Sequence, residues 1–270
     1  MPNLYASLGM LKSALNKTTT TDDTELLREL DRVSREIDNF TGRHFYAETA
    51  TRYFGGRRRA SLSVADLISV SSLTVDDNGD DTYEITLAVT TDYFLEPDNP
   101  IQNTPYSHIR LNPNSSLLGA WPRGPRAVKV TGVFGYSAET EASGTLGAAI
   151  SDTTGTSVTM TAGHGLTGGE TIYVGSEQMY VSAVVTNTLT VVRGVNGTTA
   201  ATASNGAAVT RRRFDRLIEQ AAITRAADVW RGTQTGYGQV AAAEFGGYQG
   251  NNAFALFRGL SGLVRLPVVA

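Results

Sequence analysis

The sequence contains no cysteine. That excludes a disulfide scaffold, a cysteine nucleophile and thiolate-held zinc or iron–sulfur sites. Charge is also scarce: Asp, Glu, Lys and Arg make up 18% of the 270 residues, against about a quarter in an average domain. Neither sign dominates, since 23 basic and 26 acidic residues leave a formal charge of −3. A dedicated nucleic-acid binder needs a clear basic excess to neutralise phosphates, so that class is disfavoured. No apolar run approaches the ~20 residues of a membrane span. Met1–Leu15 lacks a basic-then-apolar leader, so neither a secretion signal nor a membrane span is expected. With only 3 histidines, far apart and without a His-x-x-His or His-x-x-x-His pair, a helical metal site is unsupported. His44, His108 and His164 read as ordinary structural or surface residues.

What the chain does have is helical period at both ends and strand period between. Tyr5, Leu8, Leu11 and Leu15 suit one face of a short helix. Asp22 and Asp23 look like N-cap and first-turn residues for a longer helix from about Asp22 to Phe40. Its stripe is Leu26, Leu30, Val33, Ile37 and Phe40, and Gly42 serves as a left-handed cap. Strands are then expected over Phe45–Phe54, Leu67–Val75, Thr82–Val89, Tyr93–Leu95, His108–Leu111 and Ala127–Phe134. Asn78-Gly79 suggests a tight type I′ turn. Between Glu141 and Thr210 the composition shifts to Thr, Gly, Ala, Ser and Val in short alternating runs. Helical period returns over about Arg212–Arg231, with Phe214, Ile218, Ala222, Ala226 and Val229 in one stripe widened by Leu217 and Ala221.

The expected fold class is therefore α+β: a helical core from the N-terminal and late long helices, an antiparallel sheet or hairpin region, and an inserted all-β module. Residues 1–141 and 211–250 form the core, and 142–210 the insert, expected to project as a separate module. Residues 251–270 form an apolar C-terminal arm behind a glycine-rich tether. The two helical stripes are expected to pack on each other.

No constellation promises catalysis. Gly163–Gly168 matches G-x-G-x-x-G, but the following Thr171–Val174 reads as a strand, so the helix that would hold a pyrophosphate is missing. Asp76, Asn78 and Asp80 imitate the start of a calcium loop. Asp81 and Leu87 then stand where that loop needs Gly and Glu. There is no G-x-S-x-G elbow and no phosphate loop. Catalytic residues, cofactors and metals are all expected to be absent.

Two arginine triplets stand out as candidate partner contacts. Arg57, Arg58 and Arg59 follow Gly55-Gly56 at an expected hairpin tip. Arg211, Arg212 and Arg213 stand at the expected start of the last long helix, where cations oppose the positive dipole end. Both can be solvated charges, contacts to an acidic partner or neighbouring subunit, or DNA phosphate contacts. In the arm, Phe254, Phe257, Leu263 and Leu266 are candidates, because an exposed segment so apolar would need covering.

Several segments together resemble a known family. YASLGMLKSAL is followed by an acidic-capped helix closing in Phe40-Thr41-Gly42-Arg43-His44-Phe45. The V-x-G-x-x-G-Y run Val130–Tyr136 then precedes the helix RFDRLIEQAAITRAADVWR. This arrangement is similar to the head–tail connector (adaptor) proteins of long-tailed phages over roughly Met1–Tyr136 and Arg211–Arg231. The insert at 142–210 departs from that family, and is itself similar to small β modules of phage structural proteins. The resemblance implies a homo-oligomeric ring, commonly dodecameric, beneath the portal protein. Such a ring extends the DNA channel, passes DNA without specific binding and docks a downstream neck or tail protein. The protein would be made in the host cytoplasm and reside in the virion neck, away from any membrane. The insert's Thr/Gly-rich composition motivates the alternative of a carbohydrate- or host-surface-binding module.

Overall fold

The computed structural model describes residues 3–101, 104–234 and 258–264. Its internal contacts fall into two compact units. One joins residues 1–43 to 140–270, and the other is the continuous stretch His44–Glu139.

The His44–Glu139 unit is built on β1 (Glu48–Gly56), β2 (Ser61–Val75), β3 (Ile85–Leu87), β4 (Tyr93–Glu96), β5 (Tyr106–Leu111) and β6 (Gly124–Phe134). They form one sheet in the order β1-β6-β2-β5-β4, with β3 added beside β2. Side chains of β1 alternate between half-buried and exposed, as a strand with one covered face requires. The long β2 shifts register between Ser63 and Leu67, Leu67 and Ser69, and Val70 and Ser72. Such bulges bend a strand, and β2 uses the bend to pair its first half with β5 and its second with β6. The core of this unit includes Leu67, Leu73, Ile109, Trp121, Val128, Val130 and Phe134, all nearly or fully enclosed.

In the other unit, α1 is Leu8–Ala14, α2 is Asp23–Thr41 and α3 is Arg216–Gln234. A second sheet contains β7 (Thr140–Thr145), β8 (Ser157–Thr159), β9 (Thr171–Val174), β10 (Glu177–Val185), β11 (Thr188–Val192) and β12 (Ala208–Arg212), ordered β7-β12-β9-β10-β11-β8. It encloses its own apolar cluster around Leu146, Ile172, Met179, Val181 and Leu189. Helix α2 buries Leu26, Leu30, Val33 and Ile37, and α3 buries Ile218, Ala222, Ala226 and Val229. These two helices are packing neighbours, and Arg225 joins Glu36 at 3.1 Å. Gly42 closes α2 at φ 64°, its amide donating to the Asp38 carbonyl, as a left-handed cap should. Buried Ser34 donates to the Leu30 carbonyl and accepts the Tyr5 amide, while the Tyr5 hydroxyl bonds to the Asp38 carboxylate.

The expected α+β class with a helical core is overturned: the molecule is mostly β. Its strands form two antiparallel six-stranded sheets, with three α-helices among the described residues. The cause is that a long amphipathic helix declares itself in one unbroken period, whereas twelve short strands each carry a weak alternation. Those weak signals sum to two sheet cores. The type I′ turn does not form either. Asp76 accepts the amides of Gly79 and Asp81, and these bonds shape residues 76–84 into a wider loop. The Asp22 carboxylate makes no capping bond; Lys17 takes it, and Lys12 takes Asp23. Leu217, counted in the α3 stripe, is 56% exposed.

Candidate functional site

The end of one short signature, His44-Phe45, meets the end of the other, Gly135-Tyr136, in the His44–Glu139 unit. Phe45 is buried, and its ring lies 5.2 Å from that of Tyr136. The Tyr136 amide donates to the His44 carbonyl at 2.9 Å, and the Gly135 amide to Asp66 at 2.7 Å. Glycine is required twice in the Val130–Tyr136 run. A Cβ on Gly132 would stand 2.1 Å from the Ser69 carbonyl oxygen, and one on Gly135, at φ 136°, 1.9 Å from that of Tyr46. Backbone atoms cannot yield that space, so V-x-G-x-x-G-Y is explained by close backbone approach, of Gly132 to β2 and of Gly135 to the segment leading into β1.

The arginine triplets differ sharply in surroundings. Arg211 and Arg212 lie in β12 and Arg213 just after it, while α3 begins only at Arg216; the expected placement at the helix start is corrected. Arg211 sits opposite Glu141 in the β12–β7 register. It reaches Glu141 at 3.0 Å and Glu170 at 3.3 Å, and Arg213 reaches Glu141 at 3.1 Å. Arg212 donates to the Tyr173 hydroxyl and lies over the Phe214 ring. Burial pushes the Glu170 carboxyl up, with the Thr167 amide and Arg211 opposing. This triplet is engaged within its own unit.

Arg57, Arg58 and Arg59 occupy the connection between β1 and β2. Both strands pair with β6 rather than with each other, so the expected hairpin tip is corrected to a crossing loop. Its backbone is held: the Arg58 amide donates to the Trp121 carbonyl, and the Trp121 amide to the Arg59 carbonyl. The three side chains are exposed and form no ion pair among the described residues. Arg123, which the sequence gave no reason to group with them, lines the same shallow groove as Arg57.

In the C-terminal arm, Arg258–Leu263 form a short 3₁₀ helix beside α2 and α3. Leu260 is buried and Leu263 half-buried. Phe254, Phe257 and Leu266 lie outside the described residues.

The remaining motifs are absorbed by structure. In the glycine run, His164 accepts the Leu166 amide at Nδ1, so Nε2 carries the proton shared with the Thr186 carbonyl. The Gly168 carbonyl accepts the Leu8 amide and Thr167 Oγ1 the Gly9 amide, and β9 follows. The run therefore seats the start of α1. Among the described residues no group of His, Asp and Glu is placed to hold a metal ion, and no helix is long and apolar enough to cross a membrane.

No protein-family model matches the chain, and no curated protein matches it. A chain in a solved structure described as "Neck of empty GTA particle computed with C6 symmetry" is similar to it at 19% identity. That match covers 50% of this chain and 67% of the other, with a TM-score of 0.29. The likeness, a loose one, is thus to a component of a particle neck.

Proposed function

We propose that this protein is a structural component of a phage neck: a head–tail connector that forms a ring under the portal and presents a surface to the next neck or tail protein. The supporting observation is the meeting of the two signature segments. Phe45 packs against Tyr136 at a tilt, and Gly132 and Gly135 permit the close backbone approach beside it. The residues that carry the family resemblance are thus the ones that fix how this unit closes. The reading involves no catalytic step and no cofactor. DNA passes through the ring without sequence-specific binding, a task suited to a chain of mild net acidity. Residues 142–210 are an insertion into the connector core of 1–141 and 211–250. Within residues 251–270, Arg258–Leu263 lie against α2 and α3 of the same chain with Leu260 buried, and the other apolar residues of the segment act as an arm on a neighbouring subunit or the portal. A ring subunit needs two different complementary surfaces, and an apolar segment following a glycine-rich tether supplies one.

Native mass spectrometry of the purified chain, alone and with its portal protein, tests this reading. The expected result is a closed ring that binds the portal. A chain ending at Gly250 is expected to remain folded but fail to form rings. A full-length chain that stays monomeric at all concentrations and ignores the portal would overturn the connector reading.

A further inference from the structure

The Arg57–Arg59 loop has a chemistry of its own, and the observation that carries it is the contrast between the triplets. Around Arg211 and Arg213 the sheet brings Glu141 and Glu170 into ion-pair range. Around Arg57, Arg58, Arg59 and Arg123 it brings no carboxylate that close among the described residues. Of the other exposed arginines of the unit, Arg110 pairs with Glu96 at 3.2 Å, while Arg126 lies over the Tyr53 ring. Arg57 and Arg123 line one groove and Arg58 and Arg59 follow in the same loop, and unpaired like charges on one surface favour an anionic occupant.

The groove narrows the class of anion. Its walls are Gly55, Gly56, Arg57, Arg123, Gly124 and Pro125. Protein interfaces usually supply an aromatic or large apolar anchor at their centre, whereas this groove has Pro125 as its apolar side chain among the described residues. Exposed guanidinium forks beside a shallow groove suit a phosphodiester chain; the glycines themselves serve packing, since a Cβ on Gly56 would stand 1.6 Å from the Pro122 carbonyl oxygen. Arg126, on the adjoining part of β6, keeps its guanidinium 3.9 Å over the Tyr53 ring, extending the basic surface along the strand. The neighbouring acidic loop is largely turned on itself. Asp76 holds the Gly79 and Asp81 amides, Asp80 the Thr82 amide, and Glu84 the Asn78 side chain.

We propose that Arg57, Arg58, Arg59 and Arg123 form a sequence-independent contact for the phosphate backbone of duplex nucleic acid. The site goes beyond the connector reading and does not depend on it. A monomer would carry the same groove.

The test is fluorescence anisotropy of the full chain with a labelled random-sequence DNA duplex of about 30 base pairs, titrated between about 50 and 200 mM salt. Binding should weaken as salt rises, with a log–log slope of about −0.9 for each phosphate neutralised. Replacing the three loop arginines together (Arg57→Gln, Arg58→Gln, Arg59→Gln) should flatten that slope by roughly three. Arg110→Gln removes a paired charge from the same unit and should leave the slope unchanged. Because the three loop side chains are exposed, the triple variant should melt with the wild type. If it does not, Arg123→Gln alone should flatten the slope by about one. Absence of DNA binding at the lowest salt, or an unaltered slope in both variants, overturns the proposal. So does capture of poly-glutamate in preference to the duplex, which would assign the cluster to an acidic protein surface.

Discussion

At the scale of single residues, the most demanding pair in the protein is Glu177 with Arg193. Glu177 is fully enclosed and receives both Arg193 Nε and Nη2, at 2.7 and 2.8 Å, along with the amides of Gly194 and Ala201. Arg193 is further tied to the carbonyls of Asp152, Gly155 and Ala201. Burial alone would raise the Glu177 carboxyl, but Arg193 and the two amides outweigh it and hold the group below its usual value. Arg193→Met leaves that carboxylate buried without its counter-ion and should cost about 3–5 kcal/mol in urea unfolding at neutral pH. A folded value below the unfolded one means that the wild-type contribution is full above the unfolded carboxylate value, near ~4.3. It fades as pH falls through the folded value. The gap between variant and wild type should therefore narrow under acid, and a gap that widens there would refute this account. Nothing in the sequence marks these two residues. Each reads as a surface charge until β10 and the turn after β11 bring them together.

At the scale of elements, α2 was the most legible part of the chain. Its stripe Leu26, Leu30, Val33 and Ile37 is buried, and its left-handed stop at Gly42 lies where the sequence put it. Leu30→Ala should lower stability by about 2–5 kcal/mol, the range for emptying an enclosed leucine site. A melting temperature no lower than that of an exposed control such as Arg28→Gln would argue that α3 does not cover this face. Strand existence was also readable, from Tyr93–Leu95 to Ala127–Phe134, but pairing was not. The sequence cannot say that β6 lies between β1 and β2, and that placement turns an apparent hairpin tip into the crossing loop of Arg57–Arg59. The arginine triplets look alike on paper for the same reason. Register puts Arg211 opposite Glu141, while the strand order leaves Arg57–Arg59 in a loop with no carboxylate in ion-pair range among the described residues; both are properties of the sheet. At the turns, local side chains overrode the motif: Asp76 captured the amides that Asn78-Gly79 would have left to a tight hairpin, and Lys17 drew Asp22 away from the α2 amides.

At the scale of the molecule, the segment 142–210 is tied to the N-terminal helices. Gly168 and Thr167 accept amides from Leu8 and Gly9, and the space beside Gly169 is filled by Leu4 and Leu27. Deleting Ser143–Thr210 and bridging the ends should therefore uncover those leucines. The expected outcome is a lower melting temperature for the remaining helices and new binding of a hydrophobic dye, whereas a deletion that melts with the wild type would mean the seat contributes nothing. The arrangement also imposes an order in time. His44–Glu139 is one uninterrupted stretch with its own enclosed core, so a ribosome delivers everything that unit needs before residue 140 is made. The other unit holds α1 and α2, yet the face of α2 lacks its α3 partner until β1 to β12 have all been made. At ordinary synthesis speeds that wait is on the order of ten to a few tens of seconds. Through it the leucines of the first-made helices stand uncovered in the nascent chain, which makes them a natural point of attachment for a chaperone.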